Sequence, residues 1–198
     1  MPDFANSEEL APLLGGQYES AASRVGVRTD VNNRLEIPVI RASSSTIADI
    51  VWAFSHFNAL TATQWYEICA AREAVFIVEQ NCAFLDADGA DLACWHLTGK
   101  VNGNLAAYCR VVPPGLKYTE PSIGRVVTTL SYRRGGFGQA LLKEALRHCD
   151  EMFAGSPNKI GAQMHLEKFY ASFGYTTTSV PYDEDGILHV EMVRSARG

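Results

Sequence analysis

The sequence predicts a mixed α/β fold, and three observations lead there. Apolar residues recur at helical spacing in three segments, with strand-like runs between them. Asn102-Gly103 separates two of those runs, a strong hairpin signal because both residues tolerate positive φ. A glycine-rich turn, Arg133-Arg134-Gly135-Gly136-Phe137-Gly138, leads from a strand into a long amphipathic helix. The order helix, strands, helix, strand, helix, strands belongs to the mixed class.

Along the chain, residues 1–50 read as an N-terminal extension, partly disordered, with a small subdomain as the alternative, and residues 51–198 as the regular domain. Gly15-Gly16 and the polar run Ser43-Ser44-Ser45-Thr46 leave the extension little periodicity. Residues 34–40 alternate well enough for one short strand, which Pro38 either confines to an edge or rules out. Thr61 and Gln64 have capping-box spacing. The helix they open carries Trp65, Ile68, Arg72, Val75 and Phe76 and ends near Glu79-Gln80. An acidic loop with Asp86, Asp88 and Asp91 follows. Residues 94–101 and 105–112 flank the Asn-Gly turn as strands, Pro113-Pro114-Gly115 stops the second, and residues 122–128 form a third. The helix after the glycine turn presents Ala140, Leu141, Ala145, Leu146, Cys149 and Met152 on one face. Residues 159–163 read as a strand, and Leu166, Phe169, Tyr170 and Phe173 mark another helix, with Gly174 as its left-handed stop. Residues 175–180 and 187–193 are the last strands, joined across Asp183-Glu184-Asp185-Gly186.

Composition excludes several functions. The chain has 17 basic and 22 acidic residues, a mild acidity that argues against a nucleic-acid partner. No apolar run approaches the roughly 20 residues of a membrane span. Met1 to Leu14 contains Asp3, Glu8 and Glu9 and no basic residue, unlike a secretory signal. These features predict a cytoplasmic protein, monomer or homodimer, with no membrane partner. Five cysteines without a Cys-x-x-Cys pair predict buried thiols rather than disulfides or zinc ligands. The aspartates do not make an EF-hand, because Gly89 stands fourth and the late glutamate is missing, so no metal is expected. A solvated or acceptor-facing loop is the expectation instead.

The chemistry concentrates between Ile123 and Met152. Glycines let backbone N–H groups approach an anion closely. The first N–H groups of the following helix lack intrahelical partners and carry partial positive charge. Arg133 and Arg134 add cations, so the unit can cradle a diphosphate; the plainer alternative is a tight strand-to-helix connection. It is not a P-loop, since no Gly-Lys-Ser/Thr follows, nor a dinucleotide fingerprint, since Leu141 holds the third glycine position.

Arg133-x-x-Gly136-x-Gly138 resembles the signature of the GNAT acetyltransferases, and Tyr170, Gly174 and Tyr175 resemble that family's second hallmark. Residues 72–80, 122–127, 161–166 and 184–189 together resemble its ElaA-like branch, over about Trp52 to Val193. The resemblance implies a GNAT fold: a mostly antiparallel sheet of six to seven strands, flanked by helices, whose central strands near Val126 and Ile160 splay apart. It implies acetyl-CoA as acyl donor and an amine as acceptor. The pantetheine arm would bond main chain at Val126 and Val127. The diphosphate would sit on Arg133, Arg134, Gly135, Gly136, Phe137, Gly138 and Gln139. Tyr170 aligns with the family's usual acid toward the departing thiolate, with membership of an aromatic core stripe as its structural alternative. Two details depart from the pattern: Arg134-Gly135 reverses the usual pair, and Gln163 stands where many relatives have Asn.

Glu79 is the candidate for base or acceptor recognition, against an ordinary solvated helix end. His165 is expected to cap a helix rather than bind acceptor. Cys82 has no histidine at identifiable spacing and is not expected to be a nucleophile. Two other functions stay open at this point: a CoA-binding sensor without turnover, and a transferase of longer acyl chains, since Val75 to Gln80 resembles the first helix of acyl-homoserine-lactone synthases.

Overall fold

The computed structural model describes residues 28–29, 35–36 and 46–196. The chain divides into two units, Met1–Ala42 and Ser43–Gly198. In the first, β1 (Arg28–Thr29) pairs antiparallel with β2 (Leu35–Glu36). The rest of the strand expected at residues 34–40, and most of the extension, lie outside the described residues.

The second unit opens with β3 (Val51–His56), a strand that the sequence reading missed. Its side chains are half-buried or exposed, so it has no clean alternation to betray it. α1 (Ala62–Arg72) starts at the expected capping box. Gln64 N–H donates to Thr61 Oγ1 (3.2 Å), and Thr61 N–H donates to Gln64 Oε1 (2.8 Å). The helix reaches Glu79 as expected, but over Glu73–Glu79 it widens into a π-helix that ends with Gln80 N–H donating to Val75 O.

β4 (Trp95–Val101) and β5 (Asn104–Val112) form the predicted hairpin, with Asn102 and Gly103 at φ of 50° and 80°. β6 (Ser122–Thr128) joins β5, giving a sheet in the order β3-β4-β5-β6. After α2 (Phe137–Met152) come β7 (Asn158–Gln163), α3 (Glu167–Ala171) and β8 (Tyr175–Thr177). Gly174 stops α3 at φ 88°. β8 is shorter than the expected 175–180. A separate β9 (Tyr182–Glu184) forms past Pro181 and pairs with β10 (Ile187–Arg194). The second sheet runs β7-β10-β8, with β9 also on β10.

All pairings within both sheets are antiparallel. The single splayed sheet expected from the resemblance is therefore resolved as two. At the start of β6 and β7, Lys159 N–H donates to Pro121 O (3.0 Å), and no ladder joins the two strands beyond it among the described residues.

Successive residues of β5 serve opposite faces, as strand geometry requires. Cys109 packs with Leu141, Leu142, Ala145 and Leu146 of α2, while Tyr108 packs with Ile68 and Ala71 of α1. Leu142 takes a core place that the sequence reading gave to Met152, which is exposed. The β3-β4-β5-β6 sheet is thus buried between α1 on one face and α2 on the other. Four cysteines are buried, Cys69 is partly so, and all five are free thiols.

Candidate active site

A cleft of about 1440 Å³ opens along β6, the turn after it, the end of β7 and the π-helical segment. β6 meets it with a bulge. From Tyr108 to Arg110 β5 advances two residues, while between their partners Val127 and Gly124 β6 advances three. The extra residue leaves Arg125 at φ 51° and takes residues 125 and 126 off the ladder register. Gly124 inside a strand was the signal for this, and the sequence reading did not use it.

The glycine turn continues the same wall. Arg134 and Gly136 have φ of 64° and 80°, and Gly136 is the N-cap of α2 with no side-chain capping bond. Ala140 N–H is the first to reach Gly136 O, so the N–H groups of Phe137, Gly138 and Gln139 have no intrahelical partner. Glycine is favoured there by its φ, while a Cβ would lie 2.8 Å from the movable tip of the exposed Ile47 side chain. Phe137 is buried edge-on against Tyr132 and anchors the helix start. Val126, Val127, Arg133, Arg134, Gly136, Phe137, Gly138 and Gln139 all line the cleft; Gly135 sits on the exposed outside of the turn.

Tyr170 lines the cleft from α3. It is buried edge-on against Phe169 and Tyr175, so the aromatic-stripe reading is correct as packing. Its hydroxyl nonetheless makes no hydrogen bond among the described residues. Burial pushes its phenol up to about 12, so the group stays protonated at neutral pH.

The opposite wall is held by ions. Arg72, on α1, donates to Asp86 (2.8 Å) and Asp91 (2.8 Å). Arg110, on β5, takes Asp88 (2.7 Å) and Asp91 (2.8 Å), and Arg125, at the bulge, takes Asp86 (2.7 Å). Arg72, Arg110, Asp86 and Asp91 are buried. Of the loop expected to be solvated or acceptor-facing, Asp86 and Asp91 turn inward onto the arginines, while Leu85, Asp88, Gly89 and Ala90 line the cleft. Burial opposes ionisation of Asp88 and Asp91, but the arginine hydrogen bonds win and hold both well below the usual carboxylate range. His96 lies beneath this network with Nε2 on Asp91 O (3.1 Å) and Nδ1 on the Tyr108 hydroxyl (2.9 Å). A carbonyl can only accept, so Nε2 carries the proton and Nδ1 accepts from Tyr108. Burial lowers the pKa of His96.

Glu79 lies on the cleft and holds Arg133 in a bidentate pair, 2.7 Å for each bond. It is an exposed helix end, as the plainer expectation has it, and it carries this ion pair as well. Those hydrogen bonds lower its pKa. His165 lines the cleft, is exposed, and makes no capping bond. Cys82 is buried at the cleft edge, its thiol near the carbonyls of Gln80 (3.5 Å) and Asp185 (3.6 Å), with no histidine partner. Among the described residues no cluster of three or more His, Cys, Asp or Glu is placed to hold a metal, and no helix is long and apolar enough to cross a membrane.

Comparison with known proteins settles the family. Residues 101–196 match the model of the acetyltransferase (GNAT) domain. The chain is 40% identical over 146 residues to UPF0039 protein sll0451 of Synechocystis, covering 73% of this chain and 95% of that protein. It is 38% identical over 147 residues to protein ElaA of Escherichia coli, covering 73% and 96%. The chain belongs to the ElaA-like branch of the GNAT superfamily. The crystal structure of Escherichia coli ElaA superposes with a TM-score of 0.70 at 37% identity, over 74% of this chain and 99% of that one. An acyl-CoA N-acyltransferase from Pseudomonas aeruginosa gives 0.71 at 33%, over the same shares. The protein is an enzyme of the acetyl-CoA-dependent GNAT acyl- or acetyltransferase type. The uncapped first turn of α2, beside two arginines and facing an open cleft, fits the CoA-binding capacity that this fold implies.

Proposed function

We propose that the enzyme moves an acetyl group from acetyl-CoA to an amine by direct attack in this cleft. Tyr170 carries the reading: a buried, protonated phenol with no hydrogen-bond partner among the described residues, facing the space between β6 and α3.

Bound acetyl-CoA supplies the acetyl thioester; the chain supplies the rest. The free N–H groups of Phe137, Gly138 and Gln139, with Arg133 and Arg134, bind the diphosphate. Main chain at Val126 and Val127, beside the bulge, aligns the pantetheine arm and donates to the thioester carbonyl as its oxygen gains charge. The amine nitrogen bonds to the acyl carbon while the carbon–sulfur bond breaks. Tyr170 donates its O–H to the departing sulfur. Full transfer from a phenol near 12 to a thiolate near 8.5 is uphill by about 5 kcal/mol, so Tyr170 acts chiefly as a hydrogen-bond donor. Glu79 recognises the acceptor, and water completes removal of the ammonium proton.

The test is thiol release with acetyl-CoA and a panel of amines, in wild type and Tyr170→Phe. Amine-dependent release that the variant slows supports the reading. Release from long-chain acyl-CoA alone would assign a different donor, and binding of CoA without release under any amine would make the protein a sensor.

A further inference from the structure

The Glu79–Arg133 pair joins the two walls of the cleft. Glu79 ends the π-helical segment and Arg133 opens the glycine turn, and both line the cavity. Arg133 Nε donates to Thr128 O (3.1 Å), which fixes the guanidinium beside the turn. Its two terminal nitrogens go to the two oxygens of Glu79. The guanidinium is one-third exposed and the carboxylate nearly half. Exposed ion pairs are weak, so this one can change partners. Arg134, its neighbour, makes no ion pair among the described residues.

We propose that this pair is a displaceable clasp: a diphosphate entering the cradle takes the terminal nitrogens of Arg133 and releases the Glu79 carboxylate to the acceptor. The inference rests on the reading of the cleft as a CoA site. A diphosphate outcompetes one carboxylate because it carries more charge and also engages the first-turn N–H groups of α2. Once freed, Glu79 loses the bonds that stabilise its ionised form and becomes a better partner for an ammonium group. Donor binding therefore completes the acceptor site, and Glu79 opposes donor binding until it is displaced.

The sign of that opposition is testable by calorimetry with CoA. Glu79→Gln should tighten CoA binding by about two- to fivefold, the worth of an exposed pair. Glu79→Ala, which cannot bond Arg133 at all, should tighten it at least as much. Arg133→Gln should weaken binding, and Glu79→Gln added to it should change nothing further. Unchanged affinity in both Glu79 variants would overturn the clasp and leave the pair a strut. Equal tightening with and without Arg133 would also overturn it, since that is simple charge repulsion. No binding by the wild type or any of the four variants would remove the donor reading, and the clasp with it.

Discussion

The two walls of the cleft are built by different means. The β6–α2 wall is made of backbone: a bulge at Arg125, a left-handed Gly136, and helix N–H groups left without partners. The wall from Glu73 to Asp91 is made of side chains: three arginines and three aspartates, largely buried, pin a loop that has little regular structure of its own. A backbone site presents donors with no rotamer to lose and suits a ligand that does not change. A side-chain wall can be rewritten residue by residue, which suits the partner that differs between relatives.

If that contrast is right, the walls fail differently. The largest effect is expected at Asp91, which accepts from both Arg72 and Arg110. Asp91→Ala leaves two buried cations short of a partner, and Arg110 Nε already has none. A loss of about 3–5 kcal/mol in chemical denaturation is expected. At temperatures where the variant stays folded, its CoA affinity should remain near wild type, because the other wall is untouched; a matching collapse of affinity would break the comparison.

Tyr170→Phe should lower kcat by about 10- to 100-fold, the worth of one hydrogen bond to a developing charge, with CoA affinity unchanged. Equal turnover with every active amine would remove Tyr170 from the chemistry.

Acidification should act on the side-chain wall in two stages. His96 has a folded pKa below its ordinary 6.5, so the unfolded chain binds more protons as pH falls through 6.5 and stability declines. Asp88 and Asp91 are depressed below 3.8, so the stability they contribute is present above that pH and lost as pH falls further. Denaturation across pH 3 to 8 should show both declines, and His96→Gln should shrink the first, which His148 shares because burial lowers its pKa too, without touching the second. The smallest effect belongs to Thr61→Ala, about 1 kcal/mol from the capping box of α1, by thermal unfolding.

The same contrast explains what could be read in the sequence. Hairpin and glycine turn were legible because Asn102-Gly103 and Gly136 are demanded by local φ, and local rules are written in adjacent residues. Eight of the nine cradle residues named from sequence do line the cleft, Gly135 being the exception. The ion network was not legible, because Arg72, Arg110 and Arg125 come from separate elements and nothing in Asp86-x-Asp88 says which cations will meet it. The inward turn of Asp86 and Asp91 was consequently not legible either. The π-helical winding of Glu73–Glu79 and the edge strand β3 escaped for a related reason: neither changes which residues are apolar, so periodicity cannot report them.

The most direct test of the account is thermal unfolding with and without acetyl-CoA, in wild type and in Gly138→Glu. Gly136 is the wrong position to alter, since its left-handed φ would strain any side chain. Gly138 has an ordinary helical backbone, and an added Cβ would meet only Thr128 Oγ1 at 3.5 Å, so the variant should fold while placing a carboxylate in the cradle. At about a hundred times its dissociation constant, acetyl-CoA should stabilise wild type by about 2.7 kcal/mol, roughly 5–10 °C in Tm. Gly138→Glu should show no shift. An equal shift in the two proteins would put the donor elsewhere and contradict the backbone cradle.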